Sequence, residues 1–293
     1  MWKLLAVALM LVVAAQPAVA QDTTATAGLV PTPADRNVQL VLRDGSTLLG
    51  RVTEVTATSV RFASAVGETV IPRSAIKSVR VVLRTSMHEG EYWPEDPSRT
   101  RLFFAPTGRM LRTSEYYFTD VYVFFPSIQA GLSDAVSFGV GASAFPGVAI
   151  DEQLFYITPK VGVYSSPTVN LAVGALVAGA KWISDASPAG IGYGVATFGG
   201  EDMNVTTGAG FGFVNSSTSS KFSTALLMLG GTSRISRSVS LVTENYVTTG
   251  HDSGALVSAG FRFMSEHMAV DIAGVGTTGS SVVVPYLAFI YRW

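Results

Sequence analysis

Apolar side chains recur at every second position through much of this chain, and that period of two decides what the chain can become. Phe138, Val140, Ala142 and Ala144 alternate with Ser137, Gly139, Gly141 and Ser143. Val205, Thr207, Ala209, Phe211 and Phe213 alternate with Asn204, Thr206, Gly208, Gly210 and Gly212. Ile191, Tyr193 and Val195 oppose Gly192, Gly194 and Ala196, and Val257, Ala259, Phe261 and Phe263 oppose Ser258, Gly260 and Arg262. Residues two apart on a strand share a face, so each run builds a strand with an apolar face and a small or polar one. In a soluble sandwich the second face would be charged; here it is mostly Gly and Ser, which suits a narrow curved interior. The chain is 48% hydrophobic and 14% charged, against roughly 25% charged in ordinary soluble domains. Beyond its N-terminus it holds no apolar run of the ~20 residues that a spanning helix needs. A transmembrane antiparallel β-barrel reconciles these facts, because only every second residue must be apolar. The apolar faces are expected to point outward.

The N-terminus reads as a signal peptide over residues 1–20. Lys3 gives the positive start, Leu4 to Ala15 the apolar core, and Ala18-Val19-Ala20 a cleavage site before Gln21. Residues 21–36, rich in Thr, Ala and Pro, read as a flexible linker. The 293 residues contain no cysteine, which excludes disulfides, thiolate metal sites and a lipid anchor on an N-terminal cysteine. Net charge is −1, with no basic stripe for nucleic acid.

Residues 37–83 form a small all-β domain of their own. Val38 to Arg43 alternates, Asp44-Gly45 is a hairpin turn signal, and Leu48–Val55, Ser59–Ala63, Thr69–Ile71 and Ser78–Val82 follow. Arg73 to Ile76 reads as a single turn before the last of these. The run DGSTLLGRV…SVRF…GETVIPRSAIKSV resembles SH3-like or Sm-like barrels of bacterial envelope proteins, a fold that carries no ligand by itself. The domain is expected in the periplasm, with an unnamed periplasmic partner. Residues 84–100, with His88, Glu89, Glu91, Trp93, Pro94, Glu95, Asp96 and Pro97, read as a polar connector.

Residues 101–293 are assigned to the barrel. Eleven strands are expected, near 121–132, 135–146, 153–164, 169–180, 189–198, 203–214, 221–231, 237–248, 255–264, 268–276 and 281–293. Single-chain bacterial barrels have even strand numbers, so Arg101 to about Leu111 is the expected twelfth, running up from the periplasm; ten strands is the alternative. In the last strand Leu287, Phe289, Tyr291 and Trp293 share one face. This strand resembles the C-terminal insertion signal of outer-membrane barrels, which implies recognition by the barrel-assembly machinery. The stretches YVFFPSIQAGLSDAVSFGVGA, ITPKVGV, GIGYGVATFG, TENYVTTG and the terminal YRW are similar to small, mostly uncharacterised bacterial outer-membrane barrels. The resemblance implies a barrel among outer-membrane lipids, of unassigned role.

Strand parity puts Lys160, Glu244, Arg262 and Asp271 on the inward face. An Arg or Lys facing lipid costs about 2–4 kcal/mol at the midplane, so these charges are expected in the lumen, paired, either as a plug or as a pore constriction. His251-Asp252-Ser253 lies in an expected loop, and a catalytic reading of it needs a base and an orienting group within hydrogen-bond reach, which adjacent loop residues rarely provide. His88 and His267 are the other two histidines, and Asp151-Glu152 and Glu201-Asp202 read as hydrophilic rim rather than calcium ligands. No cofactor or metal is expected. The reading is a structural or channel-forming barrel without catalysis; the alternatives are a lipid-acting hydrolase and an uptake barrel for a small hydrophobic ligand. N-terminal sequencing of the protein from the membrane fraction should begin at or near Gln21. An intact Met1 on a soluble protein would remove the basis of the whole reading.

Overall fold

A computed structural model of the chain describes residues 31–32, 36–83, 87–88, 91–180, 189–216, 219–249 and 254–293. The expected signal peptide with Ala18, Ala20 and Gln21, most of the linker, and His251-Asp252-Ser253 lie outside the described residues. Two compact units divide the chain between Trp93 and Pro94.

The first unit is a five-stranded antiparallel sheet: β1 (Arg36–Leu42), β2 (Thr47–Val55), β3 (Ser59–Ser64), β4 (Gly67–Pro72) and β5 (Ile76–Leu83), in the order β4-β3-β2-β1-β5. Gly45, at φ 89°, turns the chain from β1 to β2, as the Asp44-Gly45 pair predicts. Residues Arg73–Ala75 make a single 3-10 turn before β5. The alternating residues Val38, Leu40, Val52, Val60, Phe62, Ile71 and Ile76 are buried together as one core. Gly50 is required where β2 meets β3, since a Cβ there would lie 2.1 Å from the Ala63 carbonyl oxygen. Two short strands, β6 (Met87–His88) and β7 (Glu91–Tyr92), pair as a ribbon.

The second unit is a closed antiparallel barrel of twelve strands. These are β8 (Tyr116–Val121), β9 (Phe125–Ser133), β10 (Val136–Ala142), a strand in two pieces β11 (Leu154–Ile157) and β12 (Lys160–Ser165), β13 (Val169–Ala180) and β14 (Ala189–Gly199), followed by β15 (Met203–Ser216), β16 (Ser219–Ser236), β17 (Val239–Thr248), β18 (Ala255–Met264), β19 (Met268–Thr277) and β20 (Val283–Arg292). Each pairs with its sequence neighbours, and β20 pairs with β8 to close the ring. Closure leaves no long open edge. β11 and β12 break at Thr158-Pro159, where proline supplies no ladder N–H. Among the described residues no helix is long and apolar enough to cross a membrane.

The strand number agrees with the sequence, but the first strand does not lie at Arg101–Leu111. That segment leaves the wall and enters the lumen. Pro97 and Pro106 cannot donate to a ladder, and four arginines between residues 99 and 112 have no place on an apolar outer face. The missing strand comes instead from dividing the expected strand at 121–132 and extending it backward. Tyr122 and Val123 take left-handed φ values of 57° and 67° and make the β8–β9 turn without Gly or Asn. A turn built from a tyrosine and a β-branched valine leaves no ordinary turn signal.

Outward side chains form an exposed apolar belt: Phe138, Val140, Val205, Phe211, Phe261 and Phe263 are each more than a third exposed. Leu287, Phe289, Tyr291 and Trp293 share this outer face. On β14 the expected direction is reversed, because Ile191, Tyr193 and Val195 line the inside while Gly192 and Gly194 occupy the opposite face. Expressed alone, residues 36–83 should show one cooperative thermal transition. Phe62→Ala should abolish it, because emptying a buried aromatic site costs about 3–5 kcal/mol, roughly all that so small a core supplies. A transition that survives Phe62→Ala unchanged would mean that this core does not hold the unit together.

Candidate functional site

Residues 94–112 form a hairpin-like insertion inside the barrel. Leu102 N–H donates to the Ala105 carbonyl at 2.8 Å and Thr107 N–H to the Thr100 carbonyl at 2.9 Å; Arg101 and Pro106 make an antiparallel bridge. The chain thus runs in, turns at Phe103-Phe104 and runs back. Leu102 and Phe103 are fully buried. Gly108 passes so close to β13 that a Cβ would lie 2.0 Å from the Asn170 carbonyl oxygen, so only glycine fits there.

Charges on the strands hold the insertion. The carboxylate of Glu244, on β17, accepts from the backbone N–H groups of Phe103 at 2.8 Å, Phe104 at 3.0 Å and Ala105 at 3.0 Å, and from the Tyr246 hydroxyl at 2.7 Å. Successive N–H groups converging on one anion form a nest, here made by the hairpin tip. Arg262, on β18, is fully buried and pairs with Asp271 on β19 at 2.7 and 3.0 Å. Its guanidinium also donates to Asp96 at 2.9 Å and to the Leu102 carbonyl at 2.7 Å. Lys160 donates to the carbonyls of Arg109 at 2.6 Å and Thr100 at 3.4 Å. Thr197 accepts from Gly108 N–H at 2.8 Å. Arg101 reaches the Thr119 hydroxyl at 2.6 Å, the Tyr286 hydroxyl at 3.0 Å and the Phe103 carbonyl.

All four charged residues picked from strand parity therefore point into the lumen. Only Arg262 and Asp271 pair directly; Glu244 and Lys160 bind the backbone of the inserted segment. Parity could give direction but not partner. By sequence the segment reads as connector and strand, although its prolines and arginines signal otherwise.

A second ionic group closes the end that carries Trp293. Glu95 meets Arg99 at 3.0 Å, Arg112 at 2.7 Å and Arg292 at 2.9 Å; Glu115 meets Arg99 at 2.5 Å and Arg292 at 3.2 Å. Burial works against ionising Glu95, yet these three arginines hold its carboxyl below the usual range. Glu201, in the β14–β15 turn at the same end, goes the other way: burial and the neighbouring Glu95 raise it, against Arg109. The Asp151-Glu152 turn sits at the surface, and His267 is an exposed group whose Nδ1 lies 3.2 Å from the Arg292 carbonyl. Among the described residues no cluster of three or more His, Asp and Glu could hold a metal.

Beyond the hairpin the lumen opens into a cavity of about 920 Å³. Phe104, Ala105 and Pro106 make its floor, and Tyr117, Tyr156, Tyr193 and Tyr246 stand in its walls with Leu176, Ile191 and Met228. Its rim reaches Thr248, Gly254 and Thr278, in the loops opposite Trp293. Strands 13 and 16 are thus apolar on both faces at this height. A site of this volume and lining suits a small apolar molecule. Replacing Arg262 by Met leaves Asp271 and Asp96 buried without their cation. It should lower the denaturant stability of the detergent-folded barrel by about 3–5 kcal/mol. Adding Asp271→Asn should recover part of that loss, and strict additivity of the two changes would show that the pair is not coupled.

No model of a known protein family matches the chain, and no curated protein matches it. Among solved structures it is similar to the KdgM porin in complex with disordered oligogalacturonate, at 6% identity over 61% of this chain and 98% of that one, with a TM-score of 0.45. Outer-membrane expressed OmpT of Vibrio cholerae is 11% identical over 88% of this chain and 95% of that one, with a TM-score of 0.36. Salmonella typhi OmpF in complex with daunomycin is 11% identical over the same shares, with a TM-score of 0.32. At these scores the likenesses lend nothing to the reading of this chain, which stands on its own geometry.

Proposed function

We propose that this protein is an outer-membrane barrel that is plugged at its periplasmic half and holds a small hydrophobic molecule in its outer half. The observation that carries this reading is the division of one lumen into two chemistries. One half is filled by a hairpin fixed through Glu244, Arg262 and Lys160; the other is an apolar cavity of about 920 Å³ floored by that hairpin. A general diffusion pore needs a continuous wet path, and the hairpin interrupts it. The function in this reading is the binding of an apolar molecule.

Several features support the location. The outward belt is apolar around the barrel, which water disfavours and lipid accepts. The end with Trp293 carries short turns, such as residues 134–135 and 237–238, while the other end carries the longer connection at 143–153, the usual asymmetry of periplasmic turns and outer loops. Tyr116 and Trp293 stack with ring centroids 6.2 Å apart at that end, as an interfacial aromatic girdle would. The chain enters the barrel there, with Pro94 accepting from Arg234 at 2.7 Å. In this reading the SH3-like domain of residues 37–83 is periplasmic and free to bind a periplasmic partner. The face of Leu287, Phe289, Tyr291 and Trp293 serves recognition by the assembly machinery, and residues 1–20 serve export.

Planar-bilayer recording of the full chain should give little or no steady conductance, whereas Glu244→Ala combined with Lys160→Ala should release the hairpin and produce discrete openings. A dodecyl diazirine probe carried in vesicles with the reconstituted protein should label lumen residues such as Met228 and Tyr246 in a saturable way. Open-pore conductance of the unaltered chain would overturn the plug, and labelling confined to the outer belt would overturn the binding cavity.

A further inference from the structure

The barrel wall is not equally tall all round. β20 is paired with β19 from Val283 to Tyr291, but with β8 only from Ala288 to Arg292. One more bond, Tyr122 N–H to the Leu287 carbonyl at 3.0 Å, completes that seam. Above it, β8 has already ended at Val121 and the chain has turned into β9 at Phe125. Residues 283–286 of β20 therefore have a strand on one side and none on the other. Pro285 sits in this free stretch. Its carbonyl faces the vacant side, where it accepts from the Tyr122 hydroxyl at 2.8 Å. In an antiparallel strand the N–H and C=O of a residue point the same way, so the N–H that proline lacks would have faced that same side and is not missed.

The gap lies between two apolar regions. On the outside, Val123 and Val283 are 72% and 66% exposed. On the inside, Val121, Tyr122 and Phe125 line the cavity. Tyr122 itself stands in the opening: its hydroxyl is bound to Pro285, and its ring meets Tyr286 edge-on with centroids 5.7 Å apart. The turn that puts it there holds two side-chain-bearing residues in left-handed backbone, a strained conformation for any residue with a Cβ. A Gly or Asn turn would reach the same reversal without that cost, so the strained turn fixes where this ring stands.

We propose that this gap is a side door, latched by Tyr122, through which a molecule dissolved in the bilayer moves between lipid and cavity; the proposal rests on the cavity holding an apolar molecule. The molecule is a membrane-partitioning hydrophobe with a single hydrocarbon chain or a flat apolar body, not a solute arriving from water. The alternative way in, the mouth between the loops, is edged by Thr248, Gly254, Thr277 and Thr278 and would make such a molecule cross water. The side door keeps it against apolar surface throughout, with Phe124 and Phe145 stacked at 5.4 Å beside the tip as an outer lip.

The test measures how fast, not only whether, the cavity fills. Vesicles holding the full chain are mixed with vesicles carrying the dodecyl diazirine probe, irradiated at intervals, and the adducts on Met228 and Tyr246 are counted against time. Tyr122→Phe removes the latch bond and should speed labelling roughly two- to tenfold, the factor one net hydrogen bond is worth. Tyr122→Ala should speed it at least as much, and Thr278→Trp at the mouth should leave it unchanged. If the cavity fills but Tyr122→Phe and Tyr122→Ala leave the rate alone while Thr278→Trp slows it, the side door is overturned and the binding cavity stands. If lumen residues are never labelled, the binding reading falls and takes the side door with it.

Discussion

The carboxylate of Glu244 inside the barrel is the constraint on which the rest of the lumen depends. A carboxylate enclosed in a low-dielectric space must be met by donors or it costs several kcal/mol. Glu244 is 1% exposed, and three consecutive backbone N–H groups and one phenol meet it. Only a chain end-on to the carboxylate, turning as it arrives, can present three such groups at once. The hairpin tip at Phe103-Phe104 supplies that turn. Arg262 repeats the logic with opposite sign, meeting two carboxylates and a carbonyl of the same hairpin. The strand charges and the inserted segment satisfy each other, and neither would be stable in the lumen alone.

From the tip outward the chemistry changes. Phe103 and Phe104 both meet the ring of Tyr286, at 5.2 and 4.8 Å, and the Tyr286 hydroxyl returns to the Phe103 carbonyl at 2.9 Å. Below this aromatic layer the lumen is ionic and filled; above it the cavity is open and mainly apolar, with Arg101, Lys160 and Gln129 also in its lining. The outer face shows no such division, since its exposed side chains are apolar along its height. Tyr286 also touches Tyr122, so the cavity floor and the low part of the wall share one side chain. A movement of the hairpin tip would be felt at the β8–β9 turn through that ring.

The ionic cluster at the Trp293 end works differently. Arg112 is largely exposed, and exposed pairs contribute little each. Glu95, however, binds three arginines drawn from the inserted segment and from β20. A network of this kind ties the entering and leaving parts of the segment to the last strand, whose closure with β8 completes the barrel.

Twelve strands follow from the sequence only by counting Arg101–Leu111, which lies in the lumen, in place of β8. By itself the sequence determined the period of two, the antiparallel barrel, the separate five-stranded unit, and the inward direction of Lys160, Glu244, Arg262 and Asp271. Each of these follows from local alternation, because a residue two positions along a strand must share its neighbour's face. The tertiary structure alone decided what those charges meet. Phe103 and Glu244 lie 141 positions apart, and no local pattern couples a carboxylate on one strand to the backbone of a distant loop. It also decided which face of β14 looks inward, since an apolar face is equally at home against lipid and against an apolar cavity. The β8–β9 turn stayed hidden because its left-handed residues are tyrosine and valine, whose conformation is imposed by the closure of β20 on β8 rather than by their own preference. Periodicity reports the environment of a face, and the contents of a lumen are set by chain segments that periodicity cannot bring together.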